Sequence, residues 1–431
     1  MSAMNEYFDT VIVGTGAAGL YCALNLPERM KVLLVTKQKA DESDSFLAQG
    51  GICMLCGEND YESYMEDTMH AGHYENDVKA VDLMIRSSNS IIRDLLQRGV
   101  DFTRNPDGSL AFTREGAHSR PRILFHEDIT GKEITQTLLD EVKTRDNITL
   151  REDTVMLDII NDSDACGGIV AAGNDGEPYT IGAAAVVLAC GGIGGLYKNS
   201  TNFSHITGDA MAIAMRHKVV VEHLDYIQIH PTTLFSRNPG RRFLISESVR
   251  GEGALLYDKN GVRFTDELQP RDVLSGIINA QMEKDGTEYV LEDMRPIGEE
   301  TIRNHFPNIL ARCREEGYDP LHEPIPVVPA QHYFMGGIKA DLSGRTNLPG
   351  LYACGETSCS GVHGRNRLAS NSLLESLVFA QRAADDILFG ERKKFGGSAP
   401  ELSVYREQEP LFEAYRREVL NAIERMKASH E

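Results

Sequence analysis

The start of the chain alternates short apolar runs with a glycine-rich turn and a helical spacing. Phe8 to Val13 is apolar enough for a buried strand, Leu20 to Leu26 for a helix, and Lys31 to Thr36 for a second strand. Between the first strand and the helix lies Gly14-Thr15-Gly16-Ala17-Ala18-Gly19. A strand, a tight glycine turn, a helix and a strand in this order predict a βαβ unit.

Two later patterns predict further elements. Apolar residues at helical spacing between Glu75 and Val100 predict an amphipathic helix that Gly99 ends. Short β-prone runs separated by Asp, Asn and Gly turns predict a small antiparallel meander within 147–189. After this meander we expect the main sheet to resume at Ala185 to Ala189.

The strand-and-turn pattern returns near the end of the chain. Gly350 to Glu356 predicts a strand that runs into a Gly-acid end. A helix is predicted from near Asn371, and its N-terminal Ser370, Asn371 and Ser372 suit both capping and binding of a polar ring edge. The last forty residues are charged and helix-prone, and we expect Pro410 to break them internally.

These patterns predict an α/β fold with two nucleotide-binding halves that flank an insertion. We predict a Rossmann-like FAD-binding domain in two parts, residues 1–222 and 329–390. An α+β capping domain is expected at 223–328, where the βαβ rhythm is lost, and a short helical tail at 391–431. One long cofactor that contacts both halves favours FAD over NAD.

The charge and hydropathy of the chain argue against nucleic-acid and membrane partners. The 431 residues carry 44 basic and 64 acidic side chains, a formal charge of −20. Phosphate backbones would repel so acidic a chain, so we expect no nucleic-acid partner. Glycines interrupt the longest uncharged stretch, Pro178 to Tyr197, which predicts a buried strand and a glycine loop and no membrane span. The segment Met1 to Glu6 lacks the basic start of a secretory signal.

The eight cysteines are scattered, and Cys53 and Cys56 form the one CxxC pair. A zinc site would need a second pair, so two small buried thiols are favoured over a redox or metal role, and the role of the pair stays open. Scattered cysteines favour a reduced, cytoplasmic protein.

The first glycine-rich turn predicts binding of a pyrophosphate. Its glycines permit the turn, the close approach of phosphates and the packing of helix on strand, and the helix N-terminus supplies N–H groups. The acid that usually ends the second strand and binds a ribose is replaced by Thr36 and Lys37, which donate hydrogen bonds. A second glycine-rich loop at 44–51 suits close approach to an isoalloxazine ring.

Further short motifs recur over nearly the whole chain at glycine turns and charged segments. They are Ala48-Gln49-Gly50-Gly51, Thr207-Gly208-Asp209, His230-Pro231-Thr232, Arg250-Gly251-Glu252-Gly253, Pro270-Arg271-Asp272 and His332-Tyr333-x-Met335-Gly336-Gly337. With the first glycine turn, this combination resembles the fumarate reductase/succinate dehydrogenase flavoprotein family. Within that family, the segments Thr113 to Ser119 and His363 to Ser372 are similar to the L-aspartate oxidases.

The resemblance implies non-covalent FAD. The respiratory members of the family attach the flavin to a histidine at the position of Asp44 in this chain. The implied cofactor residues are Gly14, Thr15, Gly16, Ala17, Ala18, Gly19, Lys37, Asp44, Ser45, Phe46, Leu47, Ala48, Gln49, Gly50, Gly51, Asp209, Glu356, Ser372 and Leu373. We also expect the glycines at 191–195 and 336–337 to lie against the cofactor.

The resemblance implies a four-carbon dicarboxylate with an α-amine as substrate. Oxidation by hydride transfer to FAD would give iminoaspartate, with dioxygen or fumarate as electron acceptor, and would couple functionally to quinolinate synthase in NAD synthesis. Glu115 is expected to face the substrate ammonium. The implied substrate residues are Glu115, His230, Ser246, His332, Arg367 and Ser370. An arginine fork suits a carboxylate because it forms two parallel hydrogen bonds.

The resemblance assigns proton transfer to Arg271, with Glu247 and Arg250 as a relay on one helical face. A structural ion-pair network among the three is the alternative. We also expect Arg241 and Arg242 to add positive charge near the substrate. Two other functions stay open: a soluble fumarate reductase or succinate dehydrogenase flavoprotein, and a flavin-holding scaffold without turnover.

Overall fold

The computed structural model describes residues 6–161, 164–238, 240–390 and 400–430. Its strands are β1 (Glu6–Val13), β2 (Val32–Val35), β3 (Ile52–Cys53), β4 (Phe112–Thr113), β5 (Ile123–Leu124), β6 (Ile148–Arg151), β7 (Val155–Asn161), β8 (Cys166–Ala172), β9 (Pro178–Leu188), β10 (Val221–Glu222), β11 (Ile227–Leu234), β12 (Phe243–Leu244), β13 (Leu255–Tyr257), β14 (Val290–Asp293), β15 (Ile325–Phe334), β16 (Gly337–Lys339), β17 (Leu351–Ala353) and β18 (Ser358–Cys359). Its helices are α1 (Ala17–Asn25), α2 (Tyr61–Ala71), α3 (Val78–Arg98), α4 (Thr130–Thr144), α5 (Asp209–Arg216), α6 (Glu247–Gly251), α7 (Arg271–Asp285), α8 (Glu299–His305), α9 (Pro307–Glu315), α10 (Asn371–Phe389) and α11 (Gln408–His430).

The main sheet has seven strands, with β6-β2-β1-β9-β8-β7 in order and β17 paired to β9. β1 pairs in parallel with β2 and β9, as the predicted βαβ opening requires. On the edge of β9 that faces away from β1, two strands pair with it. Residues 178–182 pair antiparallel with β8, and residues 186–188 pair in parallel with β17.

The predicted meander is present as β7, β8 and β9, but it is not separate from the main sheet. The expectation of a new strand at Ala185 is wrong, because β9 continues unbroken from Pro178 to Leu188. This stretch contains no Pro or Asn-Gly turn signal after Pro178, so nothing in its sequence ends the strand. Residues 162 and 163 of the predicted turn lie outside the described residues.

A second sheet, in the order β12-β11-β15-β14-β13, has its own core. That core includes Leu234, Leu256, Ile278, Ile309 and Val327, and α7 packs on β11. We propose that this core marks the inserted domain predicted at 223–328.

Two helix ends test the sequence signals. α3 ends at Gly99, whose φ of 99° is the left-handed conformation that glycine adopts without strain. Pro410 stands in the first turn of α11 and breaks nothing, so the prediction of an internal break is wrong. A first-turn residue needs no intrahelical N–H partner, and proline is therefore tolerated there.

α11 covers one face of the main sheet. It packs on α5, and the Tyr415 hydroxyl donates to the Leu157 carbonyl oxygen at 2.6 Å. The predicted tail at 391–431 is thus docked on the sheet where it is described, while 391–399 lie outside the described residues. Among the helices described, none is both long and apolar enough to cross a membrane.

Candidate active site

A cleft with about 1750 Å³ of unfilled space opens where β1, β2, β9 and β17 reach their carboxyl ends. This edge of an open parallel sheet is where α/β proteins bind nucleotides. The cleft continues to side chains of β11, β15 and the start of α7, so it joins the two sheets.

Most of the predicted cofactor residues lie in the wall of this cleft. They are Gly14, Thr15, Gly16, Ala18, Lys37, Asp44, Ser45, Leu47, Ala48, Gln49, Gly50, Gly51, Asp209, Glu356, Ser372 and Leu373. Ala17, Gly19 and Phe46 lie outside the wall.

The first glycine turn holds α1 tightly against the sheet. A Cβ on Gly19 would lie 2.0 Å from the Gly14 carbonyl oxygen, and a Cβ on Gly14 would lie 2.0 Å from that of Ala189. These glycines therefore serve packing, as predicted for the third one. We expected the N–H groups at the start of α1 to be free for a phosphate. The N–H of Ala17 is not free, because it already donates to Ser45 Oγ at 3.0 Å.

Lys37 and Asp209 form an ion pair at the rim of the cleft, with 2.7 Å between Nζ and Oδ2. The Lys37 ammonium also donates to the His205 carbonyl oxygen at 3.1 Å and lies 4.7 Å from the centre of the Phe412 ring. The residue that replaces the usual acid is thus fixed in place beside an acid from α5.

Two carboxyl groups, Asp44 and Glu356, line the middle of the cleft. Asp44 Oδ1 accepts from the Phe203 N–H at 2.9 Å, and Glu356 Oε1 accepts from the Phe334 N–H at 2.9 Å. Burial raises the pKa of Asp44 to about 7 and the pKa of Glu356 well above its usual value. Both carboxyl groups can therefore donate or accept hydrogen bonds with the hydroxyl groups of a ligand.

This wall fits FAD. Glycine backbone at Gly14, Gly50 and Gly51 permits close approach of an extended ligand. Asp44 Oδ2 and Gln49 Oε1 are buried acceptors without a hydrogen-bond partner among the described residues, and they suit the hydroxyl and N–H donors of a flavin nucleotide. Asp44 has no imidazole nitrogen for a covalent link, so we propose that the flavin is held non-covalently.

Two histidines meet at the far end of the cleft. The ring centres of His230 and His332 lie 5.2 Å apart in an edge-to-face arrangement. Burial first, and then nearby arginine charge, lowers the pKa of each histidine well below its usual value. Both rings are therefore neutral at pH 7. Thr201 Oγ1 lies 2.8 Å from His332 Nδ1, and His230 Nε2 has no partner among the described groups.

Arg367 supplies positive charge beside this pair. It is buried, with its guanidinium 4.4 Å from the centre of the Tyr333 ring and one donor bonded to Ser372 Oγ at 2.7 Å. Burial lowers the pKa of Arg367 to about 10, so the group stays cationic at neutral pH. Its Nε has no partner within the described chain, which leaves a donor for a ligand carboxylate.

Glu115 is buried in the cleft wall, with only 5% of its surface exposed. Its carboxylate accepts hydrogen bonds from Ser370 Oγ at 2.6 Å and Ser248 Oγ at 3.1 Å. Burial raises the pKa of Glu115, and the negative charge of Glu247 raises it further. The two hydroxyl donors oppose that rise.

Ser370 does not cap α10, contrary to the prediction. Its φ of 61° places it in the left-handed region, and no N–H of the helix bonds its side chain. Its Oγ instead accepts from the Gly51 N–H at 3.1 Å and donates to Glu115. The serine thus joins the flavin loop to the predicted amine-binding acid.

Arg271 and Glu247 form a buried ion pair, with 2.5 Å between Nε and Oε2. Burial alone would raise the pKa of Glu247, but the charges of Arg271 and Arg250 bring it below its usual value. α6 places Arg250 one turn after Glu247, as predicted. Arg250 lies outside the cleft wall and donates to the Glu267 carbonyl oxygen at 2.6 Å.

The sequence did not reveal several supporting residues. Gln228 accepts from Arg271 at 2.8 Å and donates to the Arg367 carbonyl oxygen at 2.9 Å. Its position two residues before His230 on β11 was the available signal, because alternate strand residues share a face. Ser248 and Thr201 are ordinary hydroxyl residues whose roles depend on distant partners, so no local pattern identifies them.

A buried arginine was also missed. Arg122 is fully buried and bonds Asp60 at 2.9 Å, Asp67 at 2.5 Å and His118 Nδ1 at 3.0 Å. His118 Nε2 lies 3.0 Å from the Ala369 carbonyl oxygen. This network fixes the loop of Glu115 against the segment that precedes α10.

Several of the glycines that we expected to lie against the cofactor pack on protein atoms instead. Gly336 packs on the His223 backbone, and Gly337 packs on the backbone of residues 357–358. Gly194 and Gly195 likewise face protein atoms, whereas Gly191 and Gly192 line the cleft.

Cys53 is buried but Cys56 is exposed, so the expected pair of buried thiols is half wrong. All eight cysteines lie in the described part of the chain, and each is a free thiol. Arg241 lines the cleft, whereas Arg242 bonds Asn199 and Ser236 and lies outside the wall.

Comparison with known proteins identifies the family of the chain. Residues 9–373 match the family model of an FAD binding domain. The chain is 49% identical over 385 residues to an L-aspartate oxidase of Clostridium perfringens, a match that covers 89% of this chain and 87% of that protein. It is 48% identical to an L-aspartate oxidase of Clostridium acetobutylicum, over 89% of this chain and 88% of that one.

The fold is also shared with solved structures. An E. coli quinol fumarate reductase superposes with a TM-score of 0.84 at 30% identity, over 96% of this chain and 74% of that one. These matches confirm the predicted α/β FAD-binding fold, and the extent of identity shows that this chain belongs to the L-aspartate oxidase family of FAD-binding flavoproteins.

Proposed function

We propose that this protein oxidises L-aspartate to iminoaspartate with FAD, and that dioxygen or fumarate takes up the electrons. The observation that carries the proposal is Glu115, a buried carboxylate in the same cleft wall as Arg271, Arg367, His230 and His332. Glu247 at the same end of the cleft is already paired with Arg271, so Glu115 is the acid there without a cationic partner of its own among the described residues, and this suits a ligand with two carboxylates and one ammonium. The names of the relatives support the same substrate.

The two ends of the substrate meet different groups. Arg367 has an unpartnered Nε, and His230 an unpartnered Nε2, that can donate to the substrate carboxylates. Glu115 faces the ammonium, and its two hydroxyl donors keep the carboxylate oriented. FAD, when bound, supplies the acceptor for the hydride that leaves the α-carbon.

The proton that the substrate loses needs a route out of a buried site. Arg271 and its partner Glu247 both lie in the cleft wall, and Glu247 stands one helical turn before Arg250, which lies outside the wall. The contact of 2.5 Å between Arg271 and Glu247 gives a path for proton transfer to α6. We propose that these three residues form the relay.

Reduction of fumarate is a second reaction that the same site supports. Fumarate has the same two carboxylates, and the solved structures most like this fold include a quinol fumarate reductase. A ligand without an amine leaves Glu115 with its two hydroxyl donors and forgoes the ion pair that the ammonium of L-aspartate gains. L-Aspartate is therefore the preferred donor, and fumarate serves as an electron acceptor.

The cellular setting is part of the proposal. Iminoaspartate is unstable in water, so an enzyme such as quinolinate synthase that consumes it directly is the expected functional partner. The eight free thiols favour a reducing compartment, and we propose the cytoplasm.

Anaerobic reduction of the flavin tests the proposal. L-Aspartate added to the purified yellow protein should bleach its flavin absorbance, and succinate at the same concentration should not. Subsequent fumarate should restore the colour. Bleaching by succinate alone would favour the succinate dehydrogenase alternative, and bleaching by neither would favour a scaffold.

A further inference from the structure

Glu292 is a buried acid to which the proposed chemistry gives no role. It lies on β14 in the second sheet, where Leu256 of β13 and Ile325 of β15 flank it in register. The side chain is 0% exposed, and neither carboxyl oxygen has a hydrogen-bond partner among the described residues. Burial of a carboxyl group without partners is unfavourable, so its presence calls for a functional explanation.

Arg250 offers the complementary donors. It is 2% exposed, and its Nε and Nη2 have no partner in the described part of the chain. Glu267 connects the two side chains: its carbonyl oxygen accepts from Arg250 at 2.6 Å, and its carboxylate accepts from the N–H of Leu256 at 2.9 Å. Leu256 is the residue opposite Glu292.

Three groups face Glu292 from the elements packed around it. They are Arg250 on α6, Glu267 after β13, and Cys313 on α9. Burial raises the pKa of Glu292 to about 8, with Arg250 lowering it and Glu267 raising it. The carboxyl group is therefore mostly protonated at neutral pH and can give up its proton within the working range of an enzyme.

We propose that Glu292 exchanges protons with Arg250 and so forms the inner end of the relay that begins at Arg271. This inference deepens the proposed function and rests on it. Their four unpartnered polar atoms are groups that a buried water could bond, and such a water would carry the proton between the two side chains. Glu292 acts through Arg250 and is a positioning residue.

Each proton that the relay gives to a substrate has to be replaced. When Arg271 gives a proton to the substrate carbon of fumarate, it regains one from Arg250 through Glu247. Arg250 regains its proton from the neutral carboxyl group of Glu292, which leaves a guanidinium facing a carboxylate. In L-aspartate oxidation the proton released by the substrate travels the same path in reverse, from Arg271 through Glu247 and Arg250. It reaches Glu292 only in molecules in which that group is already a carboxylate. Exchange with bulk water restores the starting state.

The test is the pH dependence of fumarate reduction by Glu292→Gln, with reduced benzyl viologen as electron donor. The wild type should lose kcat as the pH rises through about 8, because Glu292 no longer holds a proton to give. Glu292→Gln should lower kcat by roughly tenfold, less than the 100-fold or more that loss of a direct proton donor costs, and should lack the ionisation near 8. KM for fumarate should not change. The exposed Glu288, which precedes the same strand, gives the control Glu288→Gln, which should match the wild type.

An infrared measurement needs no turnover. The wild type at pH 6 should show the C=O stretch of a buried protonated carboxyl group that is lost above pH 9, and the band should be missing in Glu292→Gln. A variant with wild-type kcat and the same ionisation, or a wild type without this band, would overturn the role of Glu292. If the wild type reduces fumarate and oxidises L-aspartate and Glu292→Gln has the same kcat and pH profile, the role of Glu292 is refuted but the proposed function stands. A wild type that turns over neither ligand sinks the proposed function as well.

Discussion

The two ends of the cleft differ in what lines them: glycine backbone at one end and buried charged side chains at the other. The flavin end is mostly backbone, with Gly14, Gly50 and Gly51 at places where a Cβ would meet neighbouring atoms at 2.0–2.7 Å. The substrate end is mostly buried side chains, with Glu115, Glu247 and Arg271 each less than a tenth exposed.

This difference separates two kinds of failure. At the flavin end, an added methyl group removes the space that the fold and the cofactor need. At the substrate end, removal of one charge leaves its partner buried and unpaired, while the fold and the flavin remain. Substitutions at the two ends should therefore affect different measurements.

The largest effect is expected for Arg271→Leu. Loss of the proton-transferring guanidinium should lower kcat for L-aspartate oxidation by about 10⁴-fold, the upper range for a general acid or base. The flavin absorbance should stay, because Arg271 binds Glu247 and Gln228 at the substrate end. The exposed Arg303 of α8 gives the control Arg303→Leu. Retention of most of the wild-type rate would refute the assignment of proton transfer to Arg271.

Gly14→Ala should act on stability and flavin binding together. The new Cβ would lie 2.0 Å from the Ala189 carbonyl oxygen at a φ of 112°. Crowding and backbone strain together should lower the free energy of unfolding by about 3 kcal/mol. Gly253 has a similar φ of 116° but open space around it, so Gly253→Ala isolates the strain and should cost about 1 kcal/mol. Urea unfolding measures both variants, and equal losses would show that the close approach at Gly14 is unimportant.

Asp44→Asn should change the pH dependence of stability. The pKa of Asp44 rises from about 3.9 in the unfolded chain to about 7 in the fold, so its stabilising contribution is fully present below pH 4 and is lost as the pH rises to 7. In apoprotein, Asp44→Asn should remove this loss, which is at most about 1.4 kcal/mol per pH unit. Urea unfolding at pH 4, 5.5 and 7 checks it, with the exposed Asp41→Asn as control. The same slope in all three proteins would contradict the buried state of Asp44.

The sequence predicted what local patterns can encode. The βαβ opening, the end of α3 at Gly99 and the Glu247–Arg250 spacing each depend on neighbouring residues, and the structure confirms them. Ser370 failed as a helix cap because its hydroxyl bonds Glu115, which is 255 positions away in the chain. Ser248 and Arg122 depend on partners that are 133 and 62 positions away, so no local window of sequence could identify them.

The continuous strand β9 shows a further limit. Its two halves pair with different neighbours: β8, which precedes it in the chain, and β17, which follows it by more than 150 residues (Leu188 to Leu351). The periodicity of a strand predicts which residues are buried but not which strand lies beside it. The expected break at Ala185 was therefore a change of neighbour and not a change of structure.

Glu115→Gln tests most directly that one buried acid at the substrate end selects the amine. The kcat/KM for L-aspartate oxidation and for fumarate reduction should be measured on the same preparations of wild type, Glu115→Gln and the exposed control Glu58→Gln. We expect Glu115→Gln to lower L-aspartate oxidation by about 10- to 100-fold, the cost of an unpaired buried ammonium, and to leave fumarate reduction within about twofold. Equal loss of both activities, or no loss of L-aspartate oxidation, would contradict the account.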